Sequence, residues 1–99
     1  MAAAERHRVM ITSASRPGLP AFVRLQFEPV RGAWALLSPE KVMWPDAVSY
    51  DILKRCDGKA TVAEIVSSLA AEYDASEDVV GDDVSGFLQV WADRRLVTA

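Results

Sequence analysis

Soft metal ligands are nearly absent from this chain of 99 residues, which holds one cysteine, Cys56, and one histidine, His7. A lone cysteine cannot close an intrachain disulfide, and with a single histidine near the terminus it cannot complete a tetrahedral metal site. No metal and no other cofactor is expected. Long apolar runs are missing as well: no stretch approaches the ~20 residues that span a bilayer, and residues 1 to 20 lack the continuous apolar centre of a secretory signal. The chain therefore reads as cytoplasmic, without a membrane partner. Nor is there a phosphate-cradling glycine loop, since Gly58-Lys59 lacks the upstream glycine and the following Ser or Thr that bind phosphate and magnesium.

An excess of positive charge is also lacking. The net charge is −3, and Arg6, Arg8 and Arg16 against Glu5 leave residues 1 to 20 at +2, so the remainder stands at −5. A negative domain does not attract phosphate backbones. The basic stretch is rich in Ala, Ser and Thr and ends in the break Pro17-Gly18-Leu19-Pro20, with few apolar residues to bury. Residues 1–19 read as a flexible arm or linker. The alternative is that Val9, Met10 and Ile11 form a docking patch.

What is present suits one soluble domain over residues 20–99, because about half of the chain is apolar (51%) and a quarter charged (25%). Phe22 to Phe27 alternates so that Val23, Leu25 and Phe27 share a face, as in a half-buried strand. Pro29 and Gly32 allow a reversal, and Ala33 to Leu37 resumes an extended apolar run, completing a hairpin. Lys41 to Trp44, bounded by Pro39 and Pro45, reads as a short third strand at the sheet edge. Three helical patterns follow. Asp46 caps the first, with Val48, Ile52, Leu53 and Cys56 near one face and Gly58 as its stop. Thr61 and Glu64 stand in capping-box relation before Val62, Ile65, Val66, Leu69 and Tyr73. Ser76 caps the third, whose stripe is Val80, Val84, Phe87, Leu88 and Trp91, bordered by Asp83, Val90 and Arg94. Gly81 and Gly86 inside it either admit another backbone or only relieve crowding. The expected fold is α+β, a three-stranded antiparallel sheet followed by three α-helices, with a winged helix-turn-helix-like outline.

No catalytic set emerges from these elements. Cys56 has no general base beside it in sequence and reads as a buried thiol closing the first helix. Asp57, Asp82 and Asp83 read as solvated carboxylates rather than an acid-base pair. A DNA-reading helix should offer basic and amide side chains. The third helix instead offers Glu77, Asp78, Asp82, Asp83 and Asp93, with arginines only at its last turn. Three tryptophans remain. Trp34 and Trp91 read mainly as core, whereas Trp44 falls on the edge strand, where unpaired N–H and C=O groups can accept an extended peptide. With the third helix beside that edge, Phe87, Val90 and Trp91 form one wall of a groove and Val42 or Trp44 the other.

The block Arg24-Leu25-Gln26-Phe27-Glu28-Pro29-Val30-Arg31-Gly32-Ala33-Trp34 is followed in order by Leu37-Ser38-Pro39-Glu40 and Ile52-Leu53-Lys54-Arg55-Cys56-Asp57-Gly58. Thr61-Val62-Ala63-Glu64-Ile65 and Phe87-Leu88 complete the series. Together they closely resemble the PqqD family of pyrroloquinoline quinone biosynthesis, over roughly residues 20 to 98. The resemblance implies a RiPP recognition element, a winged-helix-like domain that binds the precursor peptide PqqA and presents it to the radical SAM enzyme PqqE. In such domains the peptide joins the sheet as an extra strand between the third strand and the third helix. Carried over to this chain, Val42, Met43 and Trp44 supply main-chain pairing, with Lys41 a further peptide-binding residue. Val84, Phe87, Leu88, Val90 and Trp91 include the helix wall, some of them as core, and Arg94 or Arg95 meets acidic leader side chains. The resemblance implies no catalytic residue.

Two departures accompany it. Arg94-Arg95-Leu96-Val97 stands where the family pattern suggests Arg-Gly-Leu-Val, so a glycine stop is missing and the last turn is open to a different course. Residues 1–19 fall outside the resemblance and look like a linker from a fusion to the oxidase PqqC. A monomeric peptide chaperone is the leading expectation. Its rivals are a homodimerising domain that pairs through the sheet edge and, last, a winged-helix nucleic-acid-binding module.

Overall fold

The computed structural model of the protein describes residues 8–99. Strands β1 (Arg24–Glu28), β2 (Ala33–Leu37) and β3 (Val42–Met43) form an antiparallel sheet in that order, followed by helices α1 (Ala47–Leu53), α2 (Val62–Tyr73) and α3 (Glu77–Asp93). This is the expected α+β architecture. Leu25 pairs with Leu36 and Phe27 with Trp34, so one face of the hairpin carries Leu25, Phe27, Trp34 and Leu36. Val23, just ahead of β1, and Leu36 are buried in the core, and Leu25 packs against it. Phe27 lies at the rim, meeting Trp34 edge-on at 5.5 Å, and Trp34 stacks on Tyr50 of α1 at 5.0 Å.

β3 is shorter than the Lys41–Trp44 run expected from sequence. The Ser38 N–H donates to the Lys41 carbonyl at 3.0 Å, closing a tight turn, and Pro45 removes the next ladder donor. Only Leu37–Val42 and Leu36–Met43 pair.

The helices start where their caps predict. The Asp46 carboxylate accepts the Ser49 N–H at 2.8 Å. Thr61 Oγ1 accepts the Glu64 N–H while Glu64 Oε1 accepts the Thr61 N–H, a reciprocal box that holds the Glu64 carboxyl below its usual pKa. α1 ends at Leu53, short of Gly58, and Val48 is exposed rather than core-facing. The last helix ends without glycine. Leu96 donates to the Trp91 carbonyl at 2.9 Å and Arg95 to that of Ala92 at 3.0 Å, with Arg95 itself left-handed at φ 63°. The stop therefore forms as it would with glycine, and Arg94 and Arg95 lie just past α3 rather than in its last turn. Gly81 and Gly86 admit no second backbone: a Cβ at Gly81 would touch only the Val66 side chain, and one at Gly86 would meet open space.

Residues 8–19 do not form the free arm that composition suggests, while residues 1–7 lie outside the described part. The Ser15 carbonyl accepts the Val62 N–H at 2.9 Å and the Ser13 carbonyl that of Ala63 at 3.0 Å, so this segment satisfies two orphan donors at the start of α2. Gly18 bridges both Asp57 and Thr98. A Cβ there would sit 3.2 Å from the Gly58 backbone, a tight approach that glycine relieves. Ile11 packs on the core, Gln89 accepts its N–H and donates to the Val9 carbonyl, and Arg8 pairs with Asp93 at 2.7 Å. Val9 and Met10 remain exposed.

Deleting residues 1–16 should speed amide exchange at Val62 and Ala63 and lower stability by about 1–3 kcal/mol, from two lost hydrogen bonds. Unchanged exchange would show the segment to be dispensable. Arg95→Gly should stabilise the fold by about 1 kcal/mol by relieving the left-handed backbone, as read by urea denaturation.

Candidate functional site

β3 is the terminal strand and pairs on one side only. Ladder bonds alternate in antiparallel pairs, and the Ser38–Lys41 bond sets the phase. Leu37–Val42 is then a non-hydrogen-bonded pair, and Val42 directs its N–H and C=O to the open edge. Two clefts mark how α3 lies relative to this strand. Arg94, Arg95 and Leu96 share a cleft of about 350 Å³ with Phe22 and the Ser38-Pro39-Glu40 turn that precedes β3. Toward its other end, Val79, Val80, Asp83 and Val84 share a mainly apolar cleft of about 220 Å³ with Val48 and Ile52 of α1, which follows β3. Met43, Phe87 and Trp91 all pack half-buried on the common core, and the two aromatic rings stack at 5.0 Å.

The candidate residues separate by burial. Val84 and Leu88, 1% and 0% exposed, belong to the core and offer no surface to a ligand, because they sit at the centre of the apolar stripe. Phe87 and Trp91 flank that centre, while Val90 and Arg94 are exposed beyond it. Lys41 and Val42 are exposed at the edge, and Met43 turns inward. Trp44 is exposed beneath the Arg31 guanidinium, 4.4 Å from its ring centre. None of the three tryptophans is fully buried. Sequence reasoning missed the rim of the α1–α3 cleft, where Val48, Tyr73 and Val79 are exposed. Val79 stands off the helix stripe, and that displacement was the available signal.

Cys56 is buried and donates its Sγ–H to the Ile52 carbonyl. Burial, and secondarily the charge of Asp57, push its pKa up to about 12. Such a thiol stays protonated at neutral pH and is not a nucleophile. The acidic residues of α3 are exposed, as expected of a surface that repels nucleic acid.

Residues 33–97 match the family model described as Coenzyme PQQ synthesis protein D (PqqD). The chain belongs to the PqqD family. It is 41% identical over 91 residues to the PqqA binding protein of Rhodopseudomonas palustris strain CGA009, covering 92% of this chain and 89% of that one. With the PqqA binding protein of Bradyrhizobium diazoefficiens it shares 35% identity over 96 residues, 97% of this chain and 92% of the relative. A match of that span takes in most of residues 1–19, which are thus shared with a PqqD relative. Among solved structures, it superposes with a TM-score of 0.76 on the solution structure of the PqqD truncation of Methylobacterium extorquens PqqCD, described as a functional, stand-alone RiPP recognition element. Identity there is 32%, with 90% of this chain and 95% of that one covered. The crystal structure of PqqD from Xanthomonas campestris aligns at TM-score 0.57 and 36% identity, over 91% of this chain and all of that one.

Leu88→Ala should destabilise the fold by about 2–5 kcal/mol, whereas Val90→Ala should stay within about 0.5 kcal/mol. Chemical denaturation of both variants checks the division between core and surface. Equal losses would contradict it.

Proposed function

We propose that this protein is a non-catalytic peptide chaperone that binds the ribosomally made precursor PqqA and presents it to the radical SAM enzyme PqqE in the cytoplasm. The observation that carries this reading is the open edge of β3 at Val42, taken together with the half-buried Phe87 and Trp91 of α3. An added strand gains main-chain hydrogen bonds from the edge, and its alternate side chains reach apolar surface on α3. The relatives named as PqqA binding proteins, and the structural neighbour described as a RiPP recognition element, support a peptide as the guest. Peptide contacts fall to Lys41, Val42, Met43, Trp44, Phe87, Val90, Trp91 and Arg94. Chaperoning follows from holding the peptide on a body that also binds the enzyme, which raises the local substrate concentration. Association with PqqC belongs to the same reading, since the Methylobacterium neighbour derives from a PqqCD protein.

The same edge favours a second reading, self-pairing of two copies. Sedimentation at several concentrations separates the two: a chaperone of this kind stays monomeric without peptide. In an amide NMR titration with PqqA, the largest shifts should fall at residues 41–44 and at Phe87, Val90, Trp91 and Arg94. Shifts confined to α2 would overturn the proposal.

A further inference from the structure

The apolar cleft of about 220 Å³ between α1 and α3 is built from the three helices and the turn that joins α2 to α3, with no strand residue in its lining. It offers side-chain contacts and no ladder to extend. Ile52, Leu69 and Val84 in its lining are buried, whereas Val48 and Val79 are 56% and 60% exposed, and Tyr73 of α2 donates its hydroxyl to the Asp51 carboxylate. Exposed apolar groups gathered around one concavity, unlike scattered ones, mark an interaction site. The volume falls below the roughly 300–1,000 Å³ of small-molecule pockets, so the cleft suits an inserted side chain better than a cofactor.

Charge is distributed unevenly around it. Between Lys59 and Arg94 the chain has no lysine or arginine but eight carboxylates. Three are engaged: Glu64 in the α2 capping box, Glu72 with Arg55, and Asp93 with Arg8. The other five, Asp74, Glu77, Asp78, Asp82 and Asp83, are exposed and have no ion pair among the described residues. Asp83 lines the cleft itself, and the rest stand beside Ala75 in the α2–α3 turn or on the first turns of α3 around Val79 and Val80.

From this we infer that the α1–α3 cleft is a second docking surface, which seats one bulky apolar side chain presented between lysines or arginines on the face of a folded protein partner. The inference rests on the chaperone reading above. That reading requires the body that holds PqqA to bind the enzyme through other residues, and the inference assigns that contact to this cleft. The apolar anchor supplies the desolvated centre of the contact, while the surrounding carboxylates steer a cationic face toward it and fix its orientation. The same charges turn away an acidic segment or a nucleic acid.

The test measures binding of PqqE holoenzyme to the full chain, with and without PqqA. Val79→Asp, at an exposed position, should weaken PqqE binding on the order of tenfold while leaving PqqA affinity and the melting temperature unchanged. Joint Asp74→Asn and Asp83→Asn substitution should weaken it about threefold and flatten its salt dependence, as expected for exposed pairs. Asp83→Lys should lose more than Asp83→Asn, because it adds repulsion to the missing attraction. In amide NMR spectra, Val48, Val79 and Asp83 should respond to PqqE, and Val42 to PqqA. A loss of PqqA affinity in Val79→Asp would make that residue structural and overturn the assignment. If PqqE binds and every variant keeps full affinity, the assignment fails and the chaperone reading stands. If PqqE binds the unaltered protein neither with PqqA nor without it, the chaperone reading fails and the assignment with it.

Discussion

The whole arrangement depends on burying one narrow stripe of α3. Val84 and Leu88 share a core with Leu36 of the hairpin and Ile65 of α2, and these four side chains are at most 1% exposed. Close packing in such an interior leaves little freedom to slide or rotate the helix. Once that stripe is set, helical geometry assigns every other face. Phe87 and Trp91 fall on one flank, Gln89 and Asp93 on the other, and Val90 points away from the core.

The two flanks are used differently. Gln89 and Asp93 hold the protein's own residues 8–11 through a two-point amide contact and an ion pair. That flank is already occupied by the chain's own residues 8–11. On the other flank Phe87 and Trp91 stay half-buried, and in the sheet the outer side of β3 is unpaired, where Val42 leaves hydrogen-bonding groups to be satisfied by something else. Isolated edges of this kind invite association, and native proteins commonly keep them short. With two paired residues, β3 keeps this edge short.

Strain and charge meet at the end of α3. Arg95 adopts a backbone conformation that glycine accepts more readily, yet it closes the helix with the same two hydrogen bonds. Non-glycine residues held this way cluster at functional sites. Its side chain lines a cleft with Arg94 and the Ser38-Pro39-Glu40 turn, in a chain where carboxylates outnumber cations.

Much was legible in the sequence because its causes are local. Period-two alternation marked the hairpin, Asp46, Thr61–Glu64 and Ser76 marked the helix starts, and flanking prolines marked β3 as a short strand, since each acts within one turn or strand. The ordered blocks from Arg24 to Leu88 carried the family. The sequence also named a stripe on α3 without dividing it, and only packing separated buried Val84 and Leu88 from half-buried Phe87 and Trp91. Residues 8–19 misled because they have little apolar content. Their stability comes from carbonyls that cap a distant helix and from a glycine pressed against Gly58, and neither leaves a trace in composition. What the chain determined by itself were its elements and their caps, which depend on neighbours a few residues away. The tertiary structure decided the buried face, the occupied flank and the open edge, because those depend on groups brought together from opposite ends of the chain.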